Sequence, residues 1–383
     1  MSPGYEDLGR REERVKDVRV VGLAKAFGKA PAVDHVDFEV SAGSLVTLLG
    51  PSGCGKTTTL RLIAGLERPD AGEVYVGERV LTSAAQRVFL NPEKRRMGMV
   101  FQSYAIWPHM TVFENIAFPL RAKRLPGAEI RERVMAILLT IGLDGFQDRP
   151  APLLSGGQQQ RVALGRALVA DPDVLLLDEP FSNLDARLRE EMRFELKELQ
   201  SRVGVTTIFV THDQAEAMIL SDRVLVMNAG RIAQAGTPKQ IYEQPRTRFV
   251  MDFLGQVDHV SARVARGPDG AFVARLDGVD GAQVPLLTDQ AWQEGEEAVL
   301  AFRSADVQVR PGAADGVWPG IIVSAVYLGE RVEYIVKLGA SQVRASGPVT
   351  EPLSKGTMVQ LQIPVGAIRA WPARDGQQRR IGA

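Results

Sequence analysis

The sequence has few of the residues that build disulfides and metal cages. Its 383 residues include one cysteine, Cys54, and four histidines, of which no two stand at a metal-ligand spacing. A single cysteine excludes an intramolecular disulfide and a zinc site made of cysteine pairs, and it suits a reducing compartment. The sequence therefore predicts neither a disulfide-stabilised secreted domain nor a cysteine-based metal protein.

Long apolar runs and an excess of either charge are also missing. No segment reaches the roughly 18 apolar residues that a membrane-spanning helix needs. Residues 1–17 mix both charge signs without the apolar centre of a secretory signal, so we expect a disordered leader on a soluble chain. Lys plus Arg and Asp plus Glu number 46 each, and this balance argues against a protein that coats nucleic acid.

The length and composition indicate a folded protein of more than one domain. Hydrophobic residues make up 45% and charged residues 24% of the chain, as in soluble globular proteins. Over residues 18–244, short apolar runs alternate with segments of helical periodicity, which predicts an α/β fold around a mainly parallel sheet. Over residues 245–372, β-type segments are separated by turn signals and predict an all-β domain; residues 373–383 are expected to form a flexible tail.

A glycine-rich loop follows the apolar run Leu45–Leu49 and opens a segment of helical pattern. Its residues are Gly50, Pro51, Ser52, Gly53, Cys54, Gly55, Lys56, Thr57 and Thr58. Glycines let the backbone bend around phosphates, and the N–H groups at a helix start favour an anion. In this pattern the lysine reaches the β- and γ-phosphates, and the Thr57 hydroxyl ligates Mg²⁺. For Cys54 we expect a space-filling role rather than redox chemistry.

Two carboxylates end a second apolar run, Val174–Leu177. Ligands of open α/β sheets bind at the carboxyl ends of the strands, so Asp178 is placed to support Mg²⁺. Glu179 is placed to orient or deprotonate an attacking water. An acidic pair after a strand also serves as a helix cap, but together with the phosphate loop it predicts hydrolysis of a nucleoside triphosphate.

The pentapeptide Leu-Ser-Gly-Gly-Gln lies between these motifs, at residues 154–158. With it, the chain resembles the ATP-binding subunits of ABC transporters over roughly residues 18–370. The resemblance implies a P-loop NTPase core with an inserted helical subdomain at about 103–165. It also implies a head-to-tail homodimer, in which the signature residues of one subunit close over the ATP of the other. These residues are Ser155, Gly156, Gly157 and Gln158, for which a Ser-capped helix start is the alternative.

Four more positions match the family one by one. Phe27 resembles the aromatic residue that stacks on adenine, with a core position as its alternative. Gln102 resembles the residue that reaches Mg²⁺ and the attacking water; an exposed loop amide is the alternative. Asp185 resembles the residue that crosses the dimer interface, or else caps a helix. His212 resembles the histidine that meets the γ-phosphate, or else belongs to the core.

The predicted all-β domain indicates which branch of the family this is. It contains Phe-Leu-Gly at 253–255, Phe-Arg at 302–303 followed by Asp-Val at 306–307, and Val-Tyr-Leu-Gly at 326–329. With these segments it resembles the transport-associated OB-type (TOBE) domain of importer ATPases that handle ferric iron, polyamines, sugars and sulfate. The sequences of the motifs are most similar to those of ferric iron and polyamine importers. An exporter ATPase and a nucleic-acid-associated ABC protein remain as alternatives. Because no dense basic cluster accompanies Trp292, Trp318 and Trp371, we expect these rings to pack in the core rather than bind nucleic acid.

The resemblance also implies partners. The segment 102–120 is similar to the stretch that receives the membrane subunit in importers, and its apolar side chains predict a docking cleft, with a core role as the alternative. They are Tyr104, Ile106, Trp107, Pro108 and Met110. We therefore expect transmembrane permease subunits and an extracytoplasmic solute-binding protein as partners, no nucleic acid, and a peripheral position on the cytoplasmic face of the inner membrane.

Overall fold

The computed structural model describes residues 15–279, 281–286, 291–312 and 318–373. Most of the expected leader and tail lies outside these residues. Of the leader, Lys16 is described, and its carbonyl accepts a hydrogen bond of 2.7 Å from the Thr206 hydroxyl. The chain divides into two compact units, one ending at Pro245 and the other beginning at Arg246.

The first unit contains two β-sheets. Its strands are β1 (Val18–Phe27), β2 (Ala30–Val40), β3 (Leu45–Leu49), β4 (Ala71–Val76), β5 (Arg79–Ser83), β6 (Val88–Phe89), β7 (Met97–Val100), β8 (Val174–Asp178), β9 (Thr206–Thr211), β10 (Arg223–Asn228) and β11 (Arg231–Gly236). One sheet has the order β11-β10-β3-β9-β8-β7 and is parallel except for β11. Every residue of β3, β8 and β9 is buried, which explains the largely apolar run of β3 and that of β8 before Asp178.

The second sheet, in the order β2-β1-β4-β5-β6, is antiparallel. No sequence motif predicted it. Its strands alternate buried and exposed residues, as β1 does from Val18 to Val21. The sequence signal of this sheet is therefore an alternation of buried and exposed positions, which a search for continuous apolar runs does not detect.

Some helices pack on the parallel sheet, and others pack mainly on one another. They are α1 (Lys56–Ala64), α2 (Val112–Ala122), α3 (Gly127–Thr140), α4 (Gly156–Leu168), α5 (Ala186–Val203), α6 (Gln214–Leu220) and α7 (Pro238–Glu243). Helix α7 begins at the N-cap Thr237, whose hydroxyl accepts from the Gln240 N–H. Residues of α2, α3 and α4 share one apolar cluster, within the segment expected to form the helical subdomain.

The second unit begins with a short helix, α8 (Arg248–Phe253), and continues in antiparallel strands. These are β12 (Val257–Arg266), β13 (Phe272–Leu276), β14 (Gln283–Pro285), β15 (Glu297–Arg303), β16 (Gln308–Pro311), β17 (Trp318–Tyr327), β18 (Val332–Leu338), β19 (Ser341–Gly347), β20 (Met358–Gln362) and β21 (Arg369–Pro372). They form two sheets, ordered β14-β13-β12-β15-β21 and β16-β20-β17-β18-β19, which share one apolar core. Trp292 and Trp318 are buried in that core, as expected, while Trp371 is half-buried.

The predicted fold class, an α/β unit followed by an all-β unit, is confirmed. The short helix α8 was not predicted, because six residues are too few to give a clear helical period. None of the helices in the described ranges is both long and apolar enough to cross a bilayer.

Candidate nucleotide site

The glycine-rich loop joins β3 to α1 and requires its glycines. Gly55 is the N-cap of α1 at φ 105°, in the left-handed region that glycine favours. A Cβ on Gly55 would lie 2.2 Å from the Ala32 carbonyl oxygen, and one on Gly50 would lie 2.4 Å from that of Met227. The loop is therefore packed directly against backbone, and α1 presents its free N–H groups at the loop.

Lys56, the first residue of α1, is buried and turns back over the loop. Its Nζ donates to the carbonyl oxygens of Gly50 and Pro51 at 2.8 and 2.9 Å and lies 3.8 Å from Cys54 Sγ. Burial raises the pKa of the Cys54 thiol, with the Lys56 charge acting against it. The thiol form is favoured, which supports the expected space-filling role.

Asp178 ends β8 beside the start of α1. Thr57 Oγ1 donates to Asp178 Oδ1 at 3.1 Å. Burial raises the pKa of the Asp178 carboxyl, and the bond from Thr57 acts in the opposite direction. The structure thus brings together the hydroxyl and the carboxylate predicted to ligate Mg²⁺.

These ligand types fit Mg²⁺ bound with a nucleotide. Among the described residues, no group of three or more His, Cys, Asp and Glu side chains is arranged to hold a metal. Mg²⁺ in phosphate-binding sites takes only one or two protein oxygens and completes its shell with phosphates and water. Thr57 and Asp178 supply that small number of oxygens.

The side chains of Gln102 and His212 both contact the Glu179 carboxylate. Gln102 Nε2 donates to Glu179 Oε2 at 3.5 Å, and His212 Nδ1 lies 3.2 Å from the same oxygen. The three residues follow the ends of β7, β8 and β9, which are neighbours in the parallel sheet. Glu179 has φ 45°, which is strained for a residue with a Cβ, and such strain is concentrated at functional sites. His212 is exposed, so the core alternative for it does not hold.

Asn183 makes a contact that no sequence motif predicted. Its Nδ2 donates to the Gln102 carbonyl oxygen at 2.7 Å, which ties the segment after Glu179 to the loop that carries Gln102. The signal available in the sequence was the position of Asn183 within Ser-Asn-Leu-Asp, but nothing there named its partner.

Phe27 stands at the end of β1, in the turn to β2. Its side chain is exposed (53%), which excludes the core alternative and leaves ring surface available to a ligand.

The signature residues and Asp185 form local caps. Ser155 Oγ accepts from the Gln158 N–H at 3.4 Å, and Gln158 Oε1 accepts from the Ser155 N–H at 3.0 Å. Asp185 Oδ1 accepts from the Leu188 N–H at 3.0 Å at the start of α5. Both capping alternatives are therefore present in the structure, and these side chains are not joined to the phosphate loop by any hydrogen bond within the described part of the chain. A cap at an exposed helix start still leaves N–H groups free for an anion.

Two family models match the chain, and relatives match nearly all of it. The ABC transporter model matches residues 33–182, and the TOBE domain model matches residues 306–371. The trehalose/maltose import ATP-binding protein MalK of Thermococcus litoralis is 52% identical over 352 residues, which cover 90% of this chain and 88% of that protein. The chain belongs to the ABC transporter ATP-binding proteins. The membership confirms the predicted family, its ATPase class and the predicted TOBE-type domain.

Other members of this ABC family are named for different solutes. The Fe(3+) ions import ATP-binding protein FbpC of Brucella suis is 43% identical and covers 91% of this chain and 96% of its own length. The spermidine/putrescine import ATP-binding protein PotA of Legionella pneumophila is 42% identical and covers 85% of this chain and 88% of its own length.

Solved ABC structures match more than half of the chain. CbiO1 of Clostridium perfringens, part of the transporter complex cbiONQ, has a TM-score of 0.54 at 29% identity and covers 59% of this chain and 90% of its own. A dimeric structure of MJ0796, a bacterial ABC transporter cassette, has a TM-score of 0.50 at 31% identity and covers 58% and 98%.

The segment that we expect to dock a membrane subunit is hydrogen-bonded to two helices in this ABC protein. Arg166 of α4 donates to the carbonyl oxygens of Tyr104 and Ala105, both at 2.6 Å, and Asn115 of α2 accepts from the Trp107 N–H at 2.9 Å. Tyr104 is buried, so this side chain follows the core alternative. Pro108 remains exposed, and Ile106, Trp107 and Met110 are half-buried.

Proposed function

We propose that this chain is the ATP-hydrolysing subunit of a binding-protein-dependent ABC importer. It works as a head-to-tail homodimer, held peripherally on the cytoplasmic face of the membrane by transmembrane permease subunits. The solute is ferric iron or a polyamine-like compound, with a sugar as the second candidate. The names of FbpC, PotA and MalK support all three solute classes.

One observation carries the catalytic part of the proposal. Gln102, Glu179 and His212 meet at the ends of three adjacent parallel strands, next to the Thr57–Asp178 pair. An open α/β sheet binds its ligand at this edge.

The roles of the residues follow from their chemistry. The phosphate loop and the N–H groups of α1 hold the β- and γ-phosphates of ATP. Lys56 leaves the carbonyl oxygens of Gly50 and Pro51 and binds the same phosphates. Thr57, Asp178 and Gln102 would hold Mg²⁺, which neutralises phosphate charge when bound. Glu179 takes the proton of the attacking water, while His212 holds the glutamate and reaches the γ-phosphate.

The signature segment is assigned to the partner subunit's nucleotide. Ser155 and the N–H groups of Gly156 and Gly157 open α4, which forms a second anion-binding helix start. A Cβ on Gly157 would lie 3.2 Å from Leu188 Cδ1, so the helix start also packs closely on α5. Phe27 is assigned to stacking on adenine.

Glu179→Gln tests the assignment of the base. The variant keeps the size of the side chain and its contacts to Gln102 and His212, but loses the carboxylate that accepts the proton. We expect ATP affinity within about twofold of the natural protein and a fall in turnover of at least about 100-fold. Size-exclusion chromatography in ATP should then show a stable dimer. Turnover near the natural rate would contradict the role of Glu179.

A mild-detergent pull-down from native membranes tests the transport part. Recovery of multi-span permeases together with a solute-binding protein, identified by mass spectrometry, is the expected result. Permeases that come without any binding protein would favour an exporter. Ribosomal or DNA-bound partners at physiological salt would overturn transport while leaving ATP hydrolysis in place.

A further inference from the structure

Lys25 of β1 is a lysine with an unusually fixed ammonium group. Its Nζ donates to the Arg68 carbonyl oxygen at 2.8 Å and lies 3.2 Å from Glu67 Oε1 and 3.4 Å from Asp70 Oδ1. Its side chain is only 14% exposed. A lysine on a surface strand usually keeps its ammonium in water and its four side-chain torsions mobile.

The same ammonium lies over the ring of Phe27. Lys25 Nζ is 5.5 Å from the ring centroid, within the range of a cation–π interaction. Phe27 ends a strand at a turn and is largely exposed, so few neighbours restrict its rotamers. A fixed cation next to the ring restricts them, and the exposed ring surface stays open to a base.

The backbone that carries Phe27 is held by the same acidic loop. Asp70 Oδ2 accepts from the Ala26 N–H at 2.7 Å, and the Asp70 N–H donates to the Ala24 carbonyl oxygen at 2.9 Å. Asp70 thus holds both the backbone next to Phe27 and the ammonium over its ring.

This loop is continuous with the phosphate-binding helix. Helix α1 begins at Lys56 and ends at Ala64, and the acidic residues Glu67 and Asp70 follow shortly after its end. Phe27 is therefore anchored to the far end of the helix whose first turn faces the phosphates.

We propose that Lys25 is a positioning residue for nucleotide binding, which holds the Phe27 ring ready to stack on adenine. The inference rests on the proposed function, in which Phe27 is the adenine platform. Lys25 itself does not touch the nucleotide. Its effect is pre-organisation, since a ring already in place loses less conformational entropy when the base binds.

The position of the ring predicts a ligand-dependent effect of Lys25→Met. The variant retains most of the side-chain length but has no charge and no donor. ATP affinity should fall about threefold, as expected for an exposed cation–π contact, while kcat changes little. Affinity for inorganic tripolyphosphate should stay unchanged because this ligand has no base to stack. Both affinities are measured by calorimetry on the full chain.

Two variants control for other causes. Lys25→Arg retains the cation and the donors and should restore most of the ATP affinity. Lys239→Met removes an equal charge from an exposed site on α7 and should affect neither ligand. A loss of tripolyphosphate affinity in Lys25→Met equal to the loss for ATP would overturn the inference, because it would show damage to the phosphate loop.

Phe27→Leu separates this inference from the proposed function. If Phe27→Leu does not weaken ATP binding, the platform assignment fails and the inference fails with it. If Phe27→Leu weakens ATP binding but Lys25→Met does not, only the inference fails. In the double variant, the Lys25 substitution should add nothing, because the ring that it positions is gone.

Discussion

Two aspartates, one in each unit of the molecule, are buried to the same extent but are held very differently. Asp178 and Asp258 each keep 6% of their surface exposed. In the part of the chain that the structure describes, the carboxylate of Asp178 accepts one hydrogen bond, from Thr57. Asp258 accepts three, from the Ser304 hydroxyl at 3.0 Å and from Arg344 N–H and Nε at 2.9 and 3.2 Å.

The partners explain what each carboxylate does. Asp258 lies on β12 and Arg344 on β19, so the cluster joins the two sheets of the second unit and satisfies both carboxylate oxygens. A buried charge with this many partners is a structural element. Asp178 has too few partners to balance its burial, which is a cost in stability that proteins retain mainly where a ligand or a reaction uses the group.

Asp178→Asn should show the largest effect in this comparison. The amide retains an oxygen to accept from Thr57 but has no negative charge for a metal ion. We expect Mg²⁺-dependent ATP hydrolysis to fall at least about 100-fold, with folding unimpaired, as measured by steady-state assay and thermal unfolding. A loss of thermal stability would indicate that Asp178, like Asp258, is a structural charge.

The pH dependence of the same variant sharpens the contrast. Burial raises the pKa of Asp178 in the folded chain, so folding favours the protonated carboxyl. Its stabilising effect is present below the ordinary carboxyl pKa and is lost as the pH rises through the raised value. Asp178→Asn should therefore be the more stable protein near neutral pH, and this advantage should shrink as the pH is lowered. Chemical denaturation at several pH values measures it.

Asp258→Asn should instead lower stability and leave activity intact. The amide has one acceptor oxygen. It cannot accept both from the two donors on Oδ2, the Ser304 hydroxyl and the Arg344 N–H, and from Arg344 Nε on Oδ1, so at least one donor loses its partner. We expect the free energy of unfolding of the second unit to fall by about 2 to 3 kcal/mol, because breaking a buried charge cluster is costly. ATPase activity should stay within about twofold of the natural value if the cluster acts only on stability. A selective loss of ATPase activity without a change in unfolding would contradict this view.

The same contrast explains which features the sequence predicted. The phosphate loop, Asp178 and Glu179 lie in short contiguous motifs whose chemistry depends on local spacing, so they were identifiable directly. The strand bounds Leu45–Leu49 were also predicted, because a fully buried parallel strand is a continuous apolar run.

Contacts between distant segments could not be predicted in this way. Asp258 and Arg344 are 86 residues apart, and neither belongs to a motif. The antiparallel sheet of β2-β1-β4-β5-β6 likewise depends on strand pairing that alternation alone does not specify. At the site, the resemblance to ABC proteins named Gln102 and His212, but only the structure shows that both meet the same oxygen of Glu179.

Ser304→Ala should have the smallest effect, and it tests whether the partners of Asp258 share the stabilisation. The variant removes one hydrogen bond and leaves Arg344 in place, so the unfolding free energy should fall by about 1 kcal/mol. Ser261→Ala, on the exposed face of β12, is the matched control and should change stability by less than about 0.5 kcal/mol. In the Asp258→Asn background the effect of Ser304→Ala should shrink, since the acceptor is already altered. Equal losses in both backgrounds would mean that the hydroxyl stabilises the unit through its contact to the Gln256 carbonyl oxygen, at 3.3 Å, and not through the buried carboxylate.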